Sequence, residues 1–149
     1  MCFYSNRYTG HNSPLQSREE ENHPGHPGYR FNTVDAIEYY IELGMPLEKM
    51  VLGLASYGRG FQLVDPSNNG LYCPAFDGIP MGPYTVTKGF YSYFEILEAK
   101  VNETLTYLPE ATPQEWVDVV DDCYEAPYTY NGPYWLGYDD ETSMATKVK

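Results

Sequence analysis

The run Val51-Leu52-Gly53-Leu54-Ala55-Ser56-Tyr57-Gly58-Arg59-Gly60-Phe61 constrains the fold more than any other stretch of this chain. An apolar run bounded by glycines suits a strand buried on both faces. It ends in a tyrosine, a glycine and a lone arginine, as a buried strand does where it meets a ligand-facing rim. The expectation is a strand over 50–57. Tyr57 and Arg59 stand two apart, so on an extended chain both side chains point to one side. A phenol and a guanidinium placed together suit a polar, ring-shaped ligand.

Residues 1–32 read as loop, with His23-Pro24-Gly25-His26-Pro27-Gly28 as turn chemistry. A helix is predicted over 33–44. Thr33 is its cap, Val34, Ile37, Tyr40, Ile41 and Leu43 form its apolar stripe, and Gly44 is its stop. Residues 61–84 are rich in Gly, Pro, Asn and Asp and read as loop or short strands. A second helix is predicted over 87–101, with Phe90, Tyr93, Phe94, Leu97 and Val101 on one side. Strands follow at 116–120, 127–130 and 134–138, the last two joined by the hairpin signal Asn131-Gly132. Asp139 or Asp140 caps a final helix from Glu141.

The chain carries 21 acidic against 9 basic residues, a formal charge of −12. Phosphate neutralisation needs a basic surface, so a nucleic-acid partner is not expected. An anionic membrane would repel the chain, whereas a neutral carbohydrate is compatible. No apolar run approaches about 18 residues, so no membrane-spanning helix is expected. Met1 to Tyr8 lacks an apolar core of signal-peptide type. Asn102-Glu103-Thr104 is a glycosylation sequon. Cys2, Cys73 and Cys123 fit neither a zinc spacing nor a full disulfide framework. A Cys73–Cys123 bridge with Cys2 left over and three free thiols both remain open. His11, His23 and His26 lack companion ligands and read as loop residues, so no metal and no cofactor are expected.

Four segments together resemble glycoside hydrolase family 18, the chitinases and chitinase-like lectins. They are Thr9-Gly10-His11-Asn12-Ser13-Pro14-Leu15, the run Val51 to Phe61, Gly82-Pro83-Tyr84-Thr85 through Gly89-Phe90-Tyr91-Ser92-Tyr93-Phe94-Glu95, and Pro127-Tyr128 through Tyr134-Trp135-Leu136-Gly137-Tyr138-Asp139-Asp140. Their order and approximate spacing match as well, and they cover nearly the whole chain. The fold class this implies is α/β, a partial TIM (β/α)8 barrel with an inserted small α+β domain. Residues 1–61 would be the barrel portion: a loop, the sixth helix and the seventh strand. Residues 62–138 would be the insertion domain, and 139–149 the start of the seventh barrel helix. A complete barrel needs roughly 250 residues, so a C-terminal fragment of such a protein is expected. A lone barrel strand has no parallel neighbours, which would leave strand 50–57 with unpaired backbone groups.

The resemblance implies hydrolysis of β-1,4-linked N-acetylglucosamine polymers by substrate-assisted retention. One Glu serves there as acid and base, at the end of a D-x-x-D-x-D-x-E strand expected upstream of residue 1. Asp118-Val119-Val120-Asp121-Asp122-Cys123-Tyr124-Glu125 imitates that motif, with Cys123 where the Asp beside the acid belongs. It follows the strand-seven motif instead of preceding it, and it reads as a solvated acidic strand face. A Tyr-Asp pair of the sixth strand would lie just before Thr9, yet Met1 to Tyr8 contains no Asp. No catalytic residue is therefore assigned within the chain.

The substrate-binding candidates are Tyr57, Arg59 and Phe90. Tyr57 and Arg59 match positions that touch sugar near the cleavage point, and Arg59 offers a fork of donors. The plainer alternative pairs Arg59 with a nearby carboxylate. Phe90 matches an apolar cleft wall; alternatively it belongs to the core of helix 87–101. Thr87 stands where many members have Glu. Trp135 reads as core of the insertion domain rather than a stacking platform. The implied partner is chitin or a chito-oligosaccharide, the implied location extracellular, and the oligomeric state is not readable from the sequence. The rival reading is a non-catalytic chitin-binding, lectin-like or matrix protein.

Overall fold

The computed structural model describes residues 8–26 and 28–149. Cys2 and the Asp-free segment Met1 to Arg7 lie outside the described residues. The fold is mixed α/β. Among the described residues six strands form one antiparallel sheet: β1 Tyr57–Leu63, β2 Ala75–Gly78, β3 Phe90–Ser92, β4 Val117–Asp121, β5 Ala126–Asn131 and β6 Tyr134–Gly137. Their order is β2-β1-β6-β5-β4, and β3 also pairs with β1. Among the described residues three α-helices accompany them: α1 Thr33–Glu42, α2 Tyr93–Val101 and α3 Glu141–Lys147.

The strand expected over 50–57 is displaced. Residues 51–56 belong to no strand, and β1 begins at Tyr57, where that strand was to end. A parallel strand needs parallel neighbours, and every strand pairing described here is antiparallel. Val51, Leu52 and Leu54 are therefore left in water, Val51 at 95% exposure. The polar, glycine-spaced half of the run makes the ladder instead. β1 also continues through position 61, where the barrel portion was expected to end.

The helix expected over 87–101 divides into β3 and α2. Gly89 has φ +70° and Val86 φ +46°, left-handed values that no helix accommodates. Ser92 is the N-cap of α2, and the Glu95 side chain accepts from its backbone N–H at 2.8 Å. The helix therefore starts at Tyr93, and Phe90 is free to pair with Arg59 across β1 and β3. α1 keeps its expected place, capped by the Asn32 side chain, which accepts from Asp35 N–H, rather than by Thr33. Gly44 ends it with φ +85°. Asp140 caps α3. Cys73 is buried and Cys123 exposed, both as free thiols, so the two are not bridged.

Tyr-Gly-Arg-Gly-Phe gives β1 two unlike faces. A Cβ at Gly60 would stand 2.3 Å from Ile79 Cγ2 and 2.7 Å from Leu136 Cδ2; one at Gly58 would stand 2.8 Å from Ile96 Cδ1. The glycine face thus lets the larger core close directly on the backbone. That core joins Ile79, Tyr91, Ile96, Ala99, Leu108, Leu136 and neighbours between the sheet and α2. The opposite face carries Tyr57, Arg59 and Phe61. Phe61 meets the fully buried Trp135 edge-on across the ladder, and Trp135 stacks on Tyr128. Trp135 belongs to this second core with Leu63 and Cys73, in agreement with its reading as a core residue. β4 closes the sheet as an acidic, mostly exposed edge, a composition that discourages further strand pairing.

Candidate functional site

The three sequence-derived candidates come together. Arg59 pairs with Phe90 across β1 and β3, so both point to one face with Tyr57. The Tyr57 and Phe90 rings stack at 4.8 Å with 30° between planes. The Arg59 guanidinium carbon lies 5.0 Å from the Phe90 centroid and 5.7 Å from that of Tyr57. All three are half-buried. Two aromatic rings thus form a small apolar wall, with a planar cation set over it. The cation–ring contacts hold the guanidinium against the wall.

Residues that the sequence reading had not singled out hold this wall. The Asn12 amide donates to the Tyr57 carbonyl at 3.1 Å, tying loop 9–15 to the start of β1. Glu95 is 1% exposed and organises the other side. Its Oε1 accepts from the Tyr84 and Thr85 N–H groups, each at 2.9 Å. Its Oε2 accepts from Ser92 N–H and the Ser92 hydroxyl. The Thr85 hydroxyl donates in turn to the Phe90 carbonyl at 3.0 Å. Burial pushes the Glu95 carboxyl upward, but the donors from Thr85, Ser92 and Tyr84 outweigh it and hold the group below the usual carboxylate range. The Ser-x-x-Glu spacing of Ser92 and Glu95 is a helix-start signal visible in the sequence; nothing local marks Asn12.

The acidic stretch that imitates the hydrolase motif does not gather its carboxylates. Asp118 pairs with Lys100, and Asp121 with Arg18 at 2.9 Å. Glu125 sits in the turn between β4 and β5 with φ +50°. His11 is packed between Tyr124 and Tyr128, with ring centroids at 4.8 and 5.9 Å. Burial lowers its pKa to about 4 against an opposing pull from Asp121. His23 and His26 are exposed to half-buried loop residues, and His26 meets Tyr72 edge-on. A cavity of about 1170 Å3 lies away from the three candidates, between α1 and the segment 45–52, lined in part by Ile37, Tyr40, Met45, Val51 and Leu52.

A family model described as Glycosyl hydrolases family 18 matches residues 1–149. The oviduct-specific glycoprotein of Papio anubis is 36% identical over 143 residues, which cover 95% of this chain and 19% of that protein. The chain thus spans about a fifth of the length of that relative. Among solved structures, the Group IV chitinase of Ostrinia furnacalis superposes with a TM-score of 0.80 at 31% identity, over 97% of this chain and 36% of the other. Human YKL-39, a pseudo-chitinase with retained chitooligosaccharide binding properties, superposes with a TM-score of 0.76 at 34% identity, over 95% and 34%. The family match runs from the first residue to the last, and the described fold superposes on about a third of a solved chitinase and of a pseudo-chitinase. The chain belongs to glycosyl hydrolases family 18.

Proposed function

We propose that the chain supplies one wall of a chitin or chito-oligosaccharide cleft, with Tyr57, Arg59 and Phe90 as its sugar-binding residues. The observation that carries this reading is the Tyr57–Phe90 stack with Arg59 over it. An N-acetylglucosamine ring offers an apolar face to the rings, and its hydroxyl and amide oxygens to the guanidinium. In this reading residues 1–61 are a barrel portion, 62–138 the insertion domain and 139–149 the start of a barrel helix. The exposed apolar side chains of α1 and of 45–54 support it, since in a closed barrel they would have neighbours. The chain is placed outside the cell, in keeping with a relative named a glycoprotein. No helix among the described residues is long and apolar enough to cross a membrane.

The parent activity is hydrolysis of β-1,4-N-acetylglucosamine links with retention, and these residues alone bind without cleaving. Asp118 and Asp121 are committed to different cations, which supports that division. The lectin-like alternative is favoured by YKL-39, described as a pseudo-chitinase with retained chitooligosaccharide binding properties. Chitin-bead retention tests the cleft: wild type is retained and Arg59→Ala is not. Folded wild type in the flow-through would overturn it. Turnover of a chromogenic chito-oligosaccharide that Glu125→Gln abolishes would overturn the non-catalytic part.

A further inference from the structure

α2 ends at Val101, and Asn102 follows as its C-cap with extended backbone. Asn102 opens the triplet Asn102-Glu103-Thr104. The triplet belongs to neither helix nor strand, and Glu103 and Thr104 are exposed. The Thr104 N–H donates to Asn102 Oδ1 at 2.9 Å, which closes a turn over the triplet. That bond uses the carboxamide oxygen, not the nitrogen to which a sugar attaches. A triplet locked in a ladder would have to unfold before modification; this one stands ready at a helix end.

The surroundings have room for a bulky group. Phe94, Leu97 and Val101, spaced along one side of α2, are 53%, 43% and 70% exposed. Val101, the neighbour of the half-buried Asn102, is the most exposed of the three, so this end of the helix opens to solvent. It also stays clear of the sugar-binding wall. Phe90 precedes the first turn of α2, and nine residues at 1.5 Å each put Asn102 about 14 Å further along the helix.

We propose that Asn102 is an N-glycosylation site of the chain in its secretory form. The co-reactant is an oligosaccharide held on a lipid pyrophosphate. Asn102 Nδ2 attacks the anomeric carbon, and a carbon–nitrogen bond forms. The bond from that carbon to the pyrophosphate oxygen breaks, the lipid pyrophosphate leaves with the electron pair, and the amide gives up one proton. The site rests on the extracellular reading above for its setting, and the experiment separates the two.

The full chain is directed into the secretory lumen of a eukaryotic cell line by an added signal peptide. Lumenal and secreted chain are pooled, as wild type, Thr104→Ala and Asn102→Gln. The wild type is expected to migrate above its polypeptide mass and to collapse on peptide N-glycosidase, with Asn102 recovered as Asp. Thr104→Ala is expected at the polypeptide mass. Asn102→Gln is expected to keep the chitin-bead retention of the wild type. Wild type recovered with unmodified Asn102 overturns the site. Chain that is glycosylated but not retained on chitin contradicts the cleft and supports the glycan; chain that is retained but unmodified does the reverse.

Discussion

α1 and α2 are both amphipathic helices of similar length, yet they live in different surroundings. α2 buries Glu95, Ile96 and Ala99 against the sheet, whereas α1 buries no residue at all. The contrast extends beyond the helices. The sheet and α2 close a core in which Ile79, Tyr91 and Ile96 reach 0% exposure. The segment around α1 leaves Phe31, Leu43, Leu47 and Val51 in water. Apolar periodicity thus states that a face is meant for burial, not that its partner lies in the same stretch of chain. The region that satisfies itself is also the one that builds the Tyr57–Arg59–Phe90 wall.

The largest effect that sharpens this contrast is expected at Trp135. Trp135→Ala removes a fully buried side chain and is expected to cost about 3–5 kcal/mol in denaturant unfolding. Ile41→Ser, on the open face of α1, is expected to stay within about 0.5 kcal/mol. Equal losses would break the comparison. Gly60→Ala comes next. Its Cβ would collide with Ile79 and Leu136, and a loss of about 1–3 kcal/mol is expected by the same measurement.

Two buried groups, His11 and Glu95, shape the acid response. His11 is buried and titrates at about 4 against 6.5 in the unfolded chain. Between those values the unfolded state binds the extra proton. Stability is therefore full above pH 6.5 and falls as the pH drops toward 4, by on the order of 3 kcal/mol. His11→Gln is expected to flatten that limb. Glu95 acts lower down. Its folded pKa lies below 4.5, so its contribution is complete above that pH and is lost as the pH falls through the folded value. Glu95→Gln is expected to remove this lower acid limb and to weaken chito-oligosaccharide binding, because the Thr85–Phe90 link loosens. A pH profile unchanged by either substitution would show that neither group controls the acid response.

Much of the sheet was legible in the sequence, because its signals are local. The hairpin between β5 and β6 turns at Gly132-Pro133, one residue beyond the Asn131-Gly132 signal: Asn131 closes β5 and pairs with Tyr134, and Gly132 takes φ +53°. Asp140 capped α3 where an acidic N-cap was expected. The strand over 50–57 failed because an apolar run reports burial in an environment, while ladder partners decide where a strand runs. Tyr57 and Arg59 stayed on one side despite the shift, since a period of two does not depend on where the strand begins. Helix 87–101 starts later than its apolar spacing implies, because the Ser92–Glu95 capping box sets the first turn at Tyr93. Asn12, 45 residues from the carbonyl it holds, has no local signature.

Whether a self-supporting sheet holds the proposed sugar-binding wall is read from amide hydrogen exchange with and without a chito-oligosaccharide. Slow exchange is expected in β1, β5, β6 and α2 without ligand, further slowing in β1 and β3 when the sugar is added, and fast exchange in α1 and 45–54 under both conditions. Exchange in β1 as fast as in α1, or protection by the sugar that appears in α1 and not in β1, would contradict that proposal.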